Sequence, residues 1–276
     1  MMMLTLRREA HGFVGFVERQ KNLIKRYWLW EVVWLIYSLV SVLSIGYLAA
    51  GLGSLGTGGF DLSQAQLYLL IGALLWAYLS IVFIEITFSV TWERWEGTIE
   101  YTFMAPVRRL THLLGICAFA LLYGLARTLV VLLIAMLLFH LDLSHANLVT
   151  AVTVMAVSTF PLVGLGILAS VLPLLSPERG EQMTVAVQGV LLLASGVYYP
   201  VSVLPGPVQA LAHVSPLTYT LEGMRAALIG GRGLTAVVSD LLPLLLMGLV
   251  LVPVGLAVFG WAERRAKRLG LLKRSG

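Results

Sequence analysis

Long apolar runs alternate with short polar segments along this chain, and the lengths of those runs predict its elements. Stretches near 29–52, 67–91, 113–139, 148–175, 184–200 and 237–260 hold few or no charges. About 20 helical residues, within a range of roughly 17–25, cover the hydrocarbon core of a bilayer, so each stretch has the length of a crossing. From Gln182 to Leu221 the chain runs 40 residues without an Asp, Glu, Lys or Arg, which is too long for one span. Prolines at 200, 205, 207 and 216 interrupt it. Each proline lacks a backbone donor and restricts its predecessor, so no continuous helix passes through all four. The pattern predicts a fifth helix entering the membrane, a break near Pro200, and a re-entrant outer hairpin over 200–222 before the sixth. Irregular backbone at that depth survives only when it packs in protein or faces water.

Ahead of the first span the period changes. Phe13, Phe16, Val17, Gln20, Leu23, Ile24, Tyr27 and Trp28 recur at helical spacing, with Glu18, Arg19, Lys21, Asn22, Lys25 and Arg26 on the other side. A basic amphipathic helix with aromatics on its apolar face belongs in the membrane interface. The expected fold is therefore an all-α polytopic membrane protein. Residues 1–28 form the N-terminal segment with its interfacial helix, 29–262 a six-helix transmembrane domain, and 263–276 a basic tail. The run after Arg26 has span length and no small-residue cleavage site, so it reads as a retained first helix rather than a signal peptide.

With 59% hydrophobic and 12% charged residues, the chain falls outside the range of soluble domains, and each charge needs water or a partner. A net charge of +5 invites a nucleic-acid reading, but its distribution argues against one. Sixteen of the nineteen Lys and Arg residues fall in the N-terminal segment, the tail, the 92–112 loop and the 176–182 loop. These share one face in a six-span topology, so the positive-inside rule places both termini in the cytoplasm of a cell membrane. The basic tails then serve topology and lipid headgroups. A single cysteine, Cys117, rules out an internal disulfide and a thiolate zinc site.

Candidate chemistry is sparse. No G-x-x-x-x-G-K-[ST] phosphate loop occurs; Gly230–Gly231–Arg232–Gly233 lacks the lysine and the hydroxyl, so any ATP-driven motor is another polypeptide. His140, Asp142 and His145 offer three metal ligands without a fourth, and no metal is expected. Glu85 and Arg127 sit inside spans and must face protein or water. A structural ion pair between them is the simpler reading, a proton or substrate relay the sharper one. Glu31, among Trp28, Trp30 and Trp34, reads as interfacial. Trp34, Tyr37, Trp76 and Tyr78 lie deeper than the aromatic belts, as packing residues or as a stacking surface for substrate. The 92–115 loop, WERWEGTIEYTFMAPVRRLTHLLG, mixes Glu93, Glu96 and Glu100 with Arg94, Arg108 and Arg109 around Gly97–Thr98. Thr98 suits the cap of a short helix that Pro106 ends. Charge pattern alone describes a docking surface or an ordinary solvated loop.

That loop resembles the E-R-x-x-G-T-x-E-x-x-x-x-x-P-x-R run of type-2 ABC transporter permeases, the exporter class. A second stretch, SGVYYPVSVLP (195–205) followed by PLTYTLEGMR (216–225), is similar to that family's fifth-helix end, outer hairpin and proline–tyrosine–arginine signature. The resemblance implies two permeases, identical or different, clamped on two cytoplasmic ABC ATPase subunits that carry the ATP and Mg. This chain itself then holds no cofactor and is no enzyme. Coupling to the ATPase falls to Glu93, Arg94, Glu96, Gly97, Thr98 and Glu100, with Arg108 and Arg109 beside the headgroups and Glu178 and Arg179 as a smaller contact. The path and its gate fall to Glu85, Arg127, Tyr198, Tyr199, Pro200, Pro205 and Tyr219. The expected cargo is a hydrophobic drug-like, lipid or glycolipid molecule, with polysaccharide as the alternative. The rival from another class is an ATP-independent carrier or a membrane-embedded enzyme.

Overall fold

The computed structural model describes residues 2–54, 62–139, 141 and 143–272, and every regular element among them is helical. In lipid the backbone must satisfy its own hydrogen bonds, so long apolar runs become helices. Helix α1 (Met2–Arg26) precedes α2 (Trp28–Ser54), and α3 (Leu62–Trp95) leads into the short α4 (Ile99–Met104). Next come α5 (Arg109–Phe139), α6 (Leu148–Ala169), α7 (Val171–Leu175) and α8 (Gly180–Ala194). The chain closes with α9 (Gly206–His213), α10 (Pro216–Leu228) and α11 (Val238–Arg268). The outer-loop residues 55–61, the candidate ligands His140 and Asp142, and the last basic residues Lys273 and Arg274 lie outside the described residues.

Among the described residues, five segments are long and apolar enough to cross a membrane: Trp28–Gly51, Gln64–Trp95, Arg109–Phe139, Leu148–Leu175 and Leu234–Arg268. The expected fifth span, 184–200, takes another form. Helix α8 has 15 residues, a rise of about 22 Å, which falls short of the roughly 30 Å core. It stops because Gly196 turns left-handed (φ 70°) and the prolines follow. Ser195 Oγ lies 2.9 Å from Ser215 Oγ, so α10 starts beside the point where α8 stops. The far end of α10 meets the start of α6, where the Asn147 N–H donates to the Ala227 carbonyl at 2.9 Å. Between α8 and α10 lie a 3₁₀ turn (Val201–Val203) and α9. Pro200 and Pro205 precede helical turns and Pro216 opens α10, positions where a missing N–H is harmless.

The core joins Tyr78, Leu79, Val82 and Ile86 of α3 to Leu162 and Ile167 of α6 and Phe259 of α11. Helices α6 and α11 approach closely because small residues meet there. A Cβ on Gly164 would stand 2.7 Å from Leu251, and one on Gly248 2.7 Å from Phe160. At one end of the bundle, called here the basic end, α1, α4, the start of α5 and the end of α11 come together. Arg109 Nε donates to Glu263 Oε1 at 3.0 Å across that junction. Residues 263–268 continue α11, and a turn at Gly270 (φ 66°) folds Leu271 and Leu272 back onto the core.

Candidate coupling site

Helix α3 ends in a glycine-dependent reversal. Gly97 adopts φ 70°, its N–H donates to the Arg94 carbonyl at 3.0 Å, and the Thr98 N–H donates to the Glu93 carbonyl at 2.9 Å. This pair of bonds closes a helix C-terminus with a left-handed residue, which glycine adopts without steric cost. Helix α4 starts directly afterwards. It buries Ile99, Thr102 and Phe103 and presents Glu100, Tyr101 and Met104, with Tyr101 78% and Met104 82% exposed. The expected Thr98 side-chain cap does not form. Its Oγ1 instead accepts from Arg19 Nη2 at 2.8 Å, because α1 lies against the turn and supplies a stronger donor.

Behind the exposed face stands a buried clasp. Glu93 is 1% exposed and accepts from Arg19 Nη1 at 2.6 Å, while His112 Nε2 lies 3.0 Å from the same oxygen. The Phe16 ring packs 4.6 Å from the His112 ring, and a Cβ on Gly115 would strike Phe16. The stripe of α1 at 13, 16, 17, 20, 23 and 24 is thus turned against the bundle while Glu18, Lys21, Asn22 and Lys25 stay exposed. Arg94 is buried and donates to the Leu174 carbonyl of α7 at 2.7 Å. Arg109 donates to the Thr102 and Phe103 carbonyls of α4 at 2.9 and 2.7 Å and packs over the Phe103 ring.

Of the loop residues expected on the docking face, then, Glu93 and Arg94 are internal and Arg109 is turned inward. Charges this close to an apolar core persist only with partners, so they pair within the chain. Glu96 accepts from the Tyr27 hydroxyl at 3.0 Å and lies 3.7 Å from Arg26. Arg108 is exposed, and its N–H donates to Glu9 at 3.2 Å. The Thr111 hydroxyl also donates to Glu9, and this hydrogen bond holds the carboxyl below its ordinary pKa. Glu178 and Arg179 are exposed in the turn before α8. Helix α8 starts at Gly180 without a side-chain cap, its backbone pressed on Pro173.

Within the bundle Arg127 finds Glu31 rather than Glu85. The guanidinium lies 3.9 Å from Glu31 and donates to Ser38 Oγ at 3.0 Å, and the Tyr123 hydroxyl donates to Glu31. Glu31, expected at the interface, is therefore the ion-pair partner, and Glu85 lies within electrostatic reach of both groups. Towards the opposite end, Arg225, the arginine that closes the 216–225 stretch, is a further functional candidate. It is buried, donates to the Gly196 and Val197 carbonyls at 2.9 and 2.5 Å, and stacks 3.5 Å above the Tyr68 ring. It ties α10 to the broken end of α8. A Cβ on Gly72 of α3 would lie 2.1 Å from the Val197 oxygen, so that seat requires glycine. The tyrosines beside it brace the same bend. Tyr199 donates to the Leu193 carbonyl at 2.7 Å, Tyr219 to the His213 carbonyl at 3.0 Å, and Tyr198 packs against the core.

The ABC-2 type transporter family profile matches residues 13–229, from α1 to the end of α10. The chain belongs to the ABC-2 type transporter family. No curated protein matches it in sequence. Family membership makes it a multi-pass membrane component of an ABC transporter, a permease that works with ABC ATPase subunits. The matched region holds α4, the Arg19–Glu93–His112 clasp and the Arg225 seat, so both ends of the described machinery belong to the family domain.

Proposed function

We propose that this chain is the membrane-spanning permease subunit of an ATP-driven exporter, working as a pair of permeases on two separate cytoplasmic ATPase subunits. The basic end faces the cytoplasm, and α8, α9 and α10 together make the fifth crossing and its re-entrant outer hairpin, before α11 makes the sixth. The observation that carries this reading is α4: an exposed strip of Glu100, Tyr101 and Met104 on a helix whose Thr102 and Phe103 carbonyls accept from Arg109 of α5 and whose Phe103 ring lies beneath Arg109 and Lys267. A helix docking into an ATPase transmits motion only if it cannot rock on its own support. The clasp from α1, α3, α5, α7 and α11 supplies that stiffness. Glu96, Gly97 and Thr98 set the turn, Arg108, Glu178 and Arg179 flank the contact, and Glu93, Arg94 and Arg109 act from behind it.

On this reading the cargo is a hydrophobic drug-like, lipid or glycolipid molecule. Trp34 and Tyr37 support it: both are exposed along α2, edge to face with each other, whereas Tyr78 is in the core. Arg225 and Tyr198 position the outer gate, and the Glu31–Arg127 pair joins α2 to α5. Co-purification tests the assignment. An ABC ATPase subunit is expected to co-purify with the wild type, and its ATPase rate in nanodiscs to respond to hydrophobic compounds. Recovery of an active transporter from this chain alone would place it with ATP-independent carriers.

A further inference from the structure

Cations at the basic end fall into two sets. Arg109 and Lys267 share Glu263, at 3.0 and 2.7 Å, on the inner side of α11. Arg264, Arg265 and Arg268 lie on the outer side, exposed, and no described carboxylate pairs with them. They do not all reach away from the bundle. Arg265 folds back over the Trp261 ring at 5.6 Å, and Arg264 Nη1 lies 3.8 Å from where a Cβ on Gly260 would stand. Trp261, Arg264, Arg265, Arg268 and Leu269 line an open cleft of about 270 Å³. Three unpaired guanidiniums beside one open cleft make it a surface that attracts anions.

The apolar side of the cleft says which anion. Above Trp261 the same face of α11 continues as Val254, Val250 and Leu246, all exposed. From Val250 to Trp261 that stripe rises about 16 Å, the thickness of one leaflet's hydrocarbon. Glu263 and Arg109 bond at the level of α4, so the arginines sit in the headgroup layer that Trp261 marks. We propose that Trp261, Arg264, Arg265 and Arg268 form a binding site for the phosphate of an anionic phospholipid, whose acyl chain lies along the α11 stripe. Guanidiniums suit phosphate oxygens through paired donors, and the indole covers the glycerol region. This site is separate from the coupling helix and from the transport path.

Native mass spectrometry of the full-length chain in detergent tests it, comparing phosphatidylglycerol with phosphatidylcholine of the same acyl chains. The wild type is expected to retain phosphatidylglycerol preferentially. Arg264→Gln/Arg265→Gln/Arg268→Gln is expected to weaken it roughly 10- to 100-fold without changing phosphatidylcholine. Arg7→Gln/Lys21→Gln/Lys25→Gln removes equal charge from α1 and is expected to leave phosphatidylglycerol binding intact. Equal weakening by the two triple variants, or no preference between lipids, overturns the proposal in favour of a diffuse basic surface. Displacement of the lipid by millimolar inorganic phosphate overturns it in favour of a soluble phosphate site. Should the site variant insert poorly, Trp261→Phe gives an independent reading: a bromine-labelled phosphatidylglycerol acyl chain quenches the wild-type fluorescence more than that of Trp261→Phe. Identical quenching in the two excludes the site.

Discussion

Arg19 decides whether Glu93 is tolerable where it lies. Glu93 has one oxygen shared by Arg19 and His112 and is otherwise sealed from water. Arg19→Ala is expected to destabilise the basic end by about 1–3 kcal/mol, because a buried carboxylate loses its charged donor. Tryptophan-monitored thermal unfolding reads the loss, and Glu93→Gln in the same background restores part of it. Tyr101→Ala and Met104→Ala touch no neighbour that needs them, so stability should change by less than about 0.5 kcal/mol. If α4 docks on the ATPase, both abolish stimulated transport all the same. Glu9 adds a pH signature. Its depressed pKa means that the Glu9–Thr111 contact contributes stability above the ordinary value of 4.5 and loses it as pH falls below that value. Protease cleavage after α1 should therefore rise only under acid, and Glu9→Gln should flatten the dependence.

Elements were legible where periodicity or proline chemistry dictates them, and obscure where packing does. The apolar lengths identified the long helices, and the 13–24 stripe identified α1, although that stripe packs against the bundle rather than facing the membrane interface as expected. Pro200, Pro205 and Pro216 all fell at helix starts, as their backbone chemistry requires. What the pattern concealed was where α8 ends: an apolar run to Tyr199 looks continuous, and only the Gly196 turn and the Arg225–Val197 bond reveal the stop. The inward set of the coupling loop was equally hidden. Charge order along 93–109 is the same whether Arg94 faces solvent or the Leu174 carbonyl. Gly72→Ala tests the bend, since the new methyl strikes the Val197 oxygen. Its expected cost is about 1–3 kcal/mol, read as lost thermal stability.

At the scale of the whole molecule, one end is stiff and charged and the other is bent and clasped by a single arginine. The helices between them, packed through Gly164, Gly248 and the α3 core, run from one end to the other. On the proposed function, a push on α4 would reach the hairpin at Arg225 through this packing. The central claim is that α4, through Tyr101, is the surface the ATPase grips. Cross-linking measures it most directly. With the buried Cys117 replaced by Ala, single cysteines are placed at Tyr101 and, as an inward control, at Glu93. After co-expression with the ATPase subunit, Tyr101→Cys should form a cross-link to it whose yield changes with ATP, and Glu93→Cys should form none. An ATPase that co-purifies yet cross-links to neither Tyr101→Cys nor a neighbouring Met104→Cys would contradict the account.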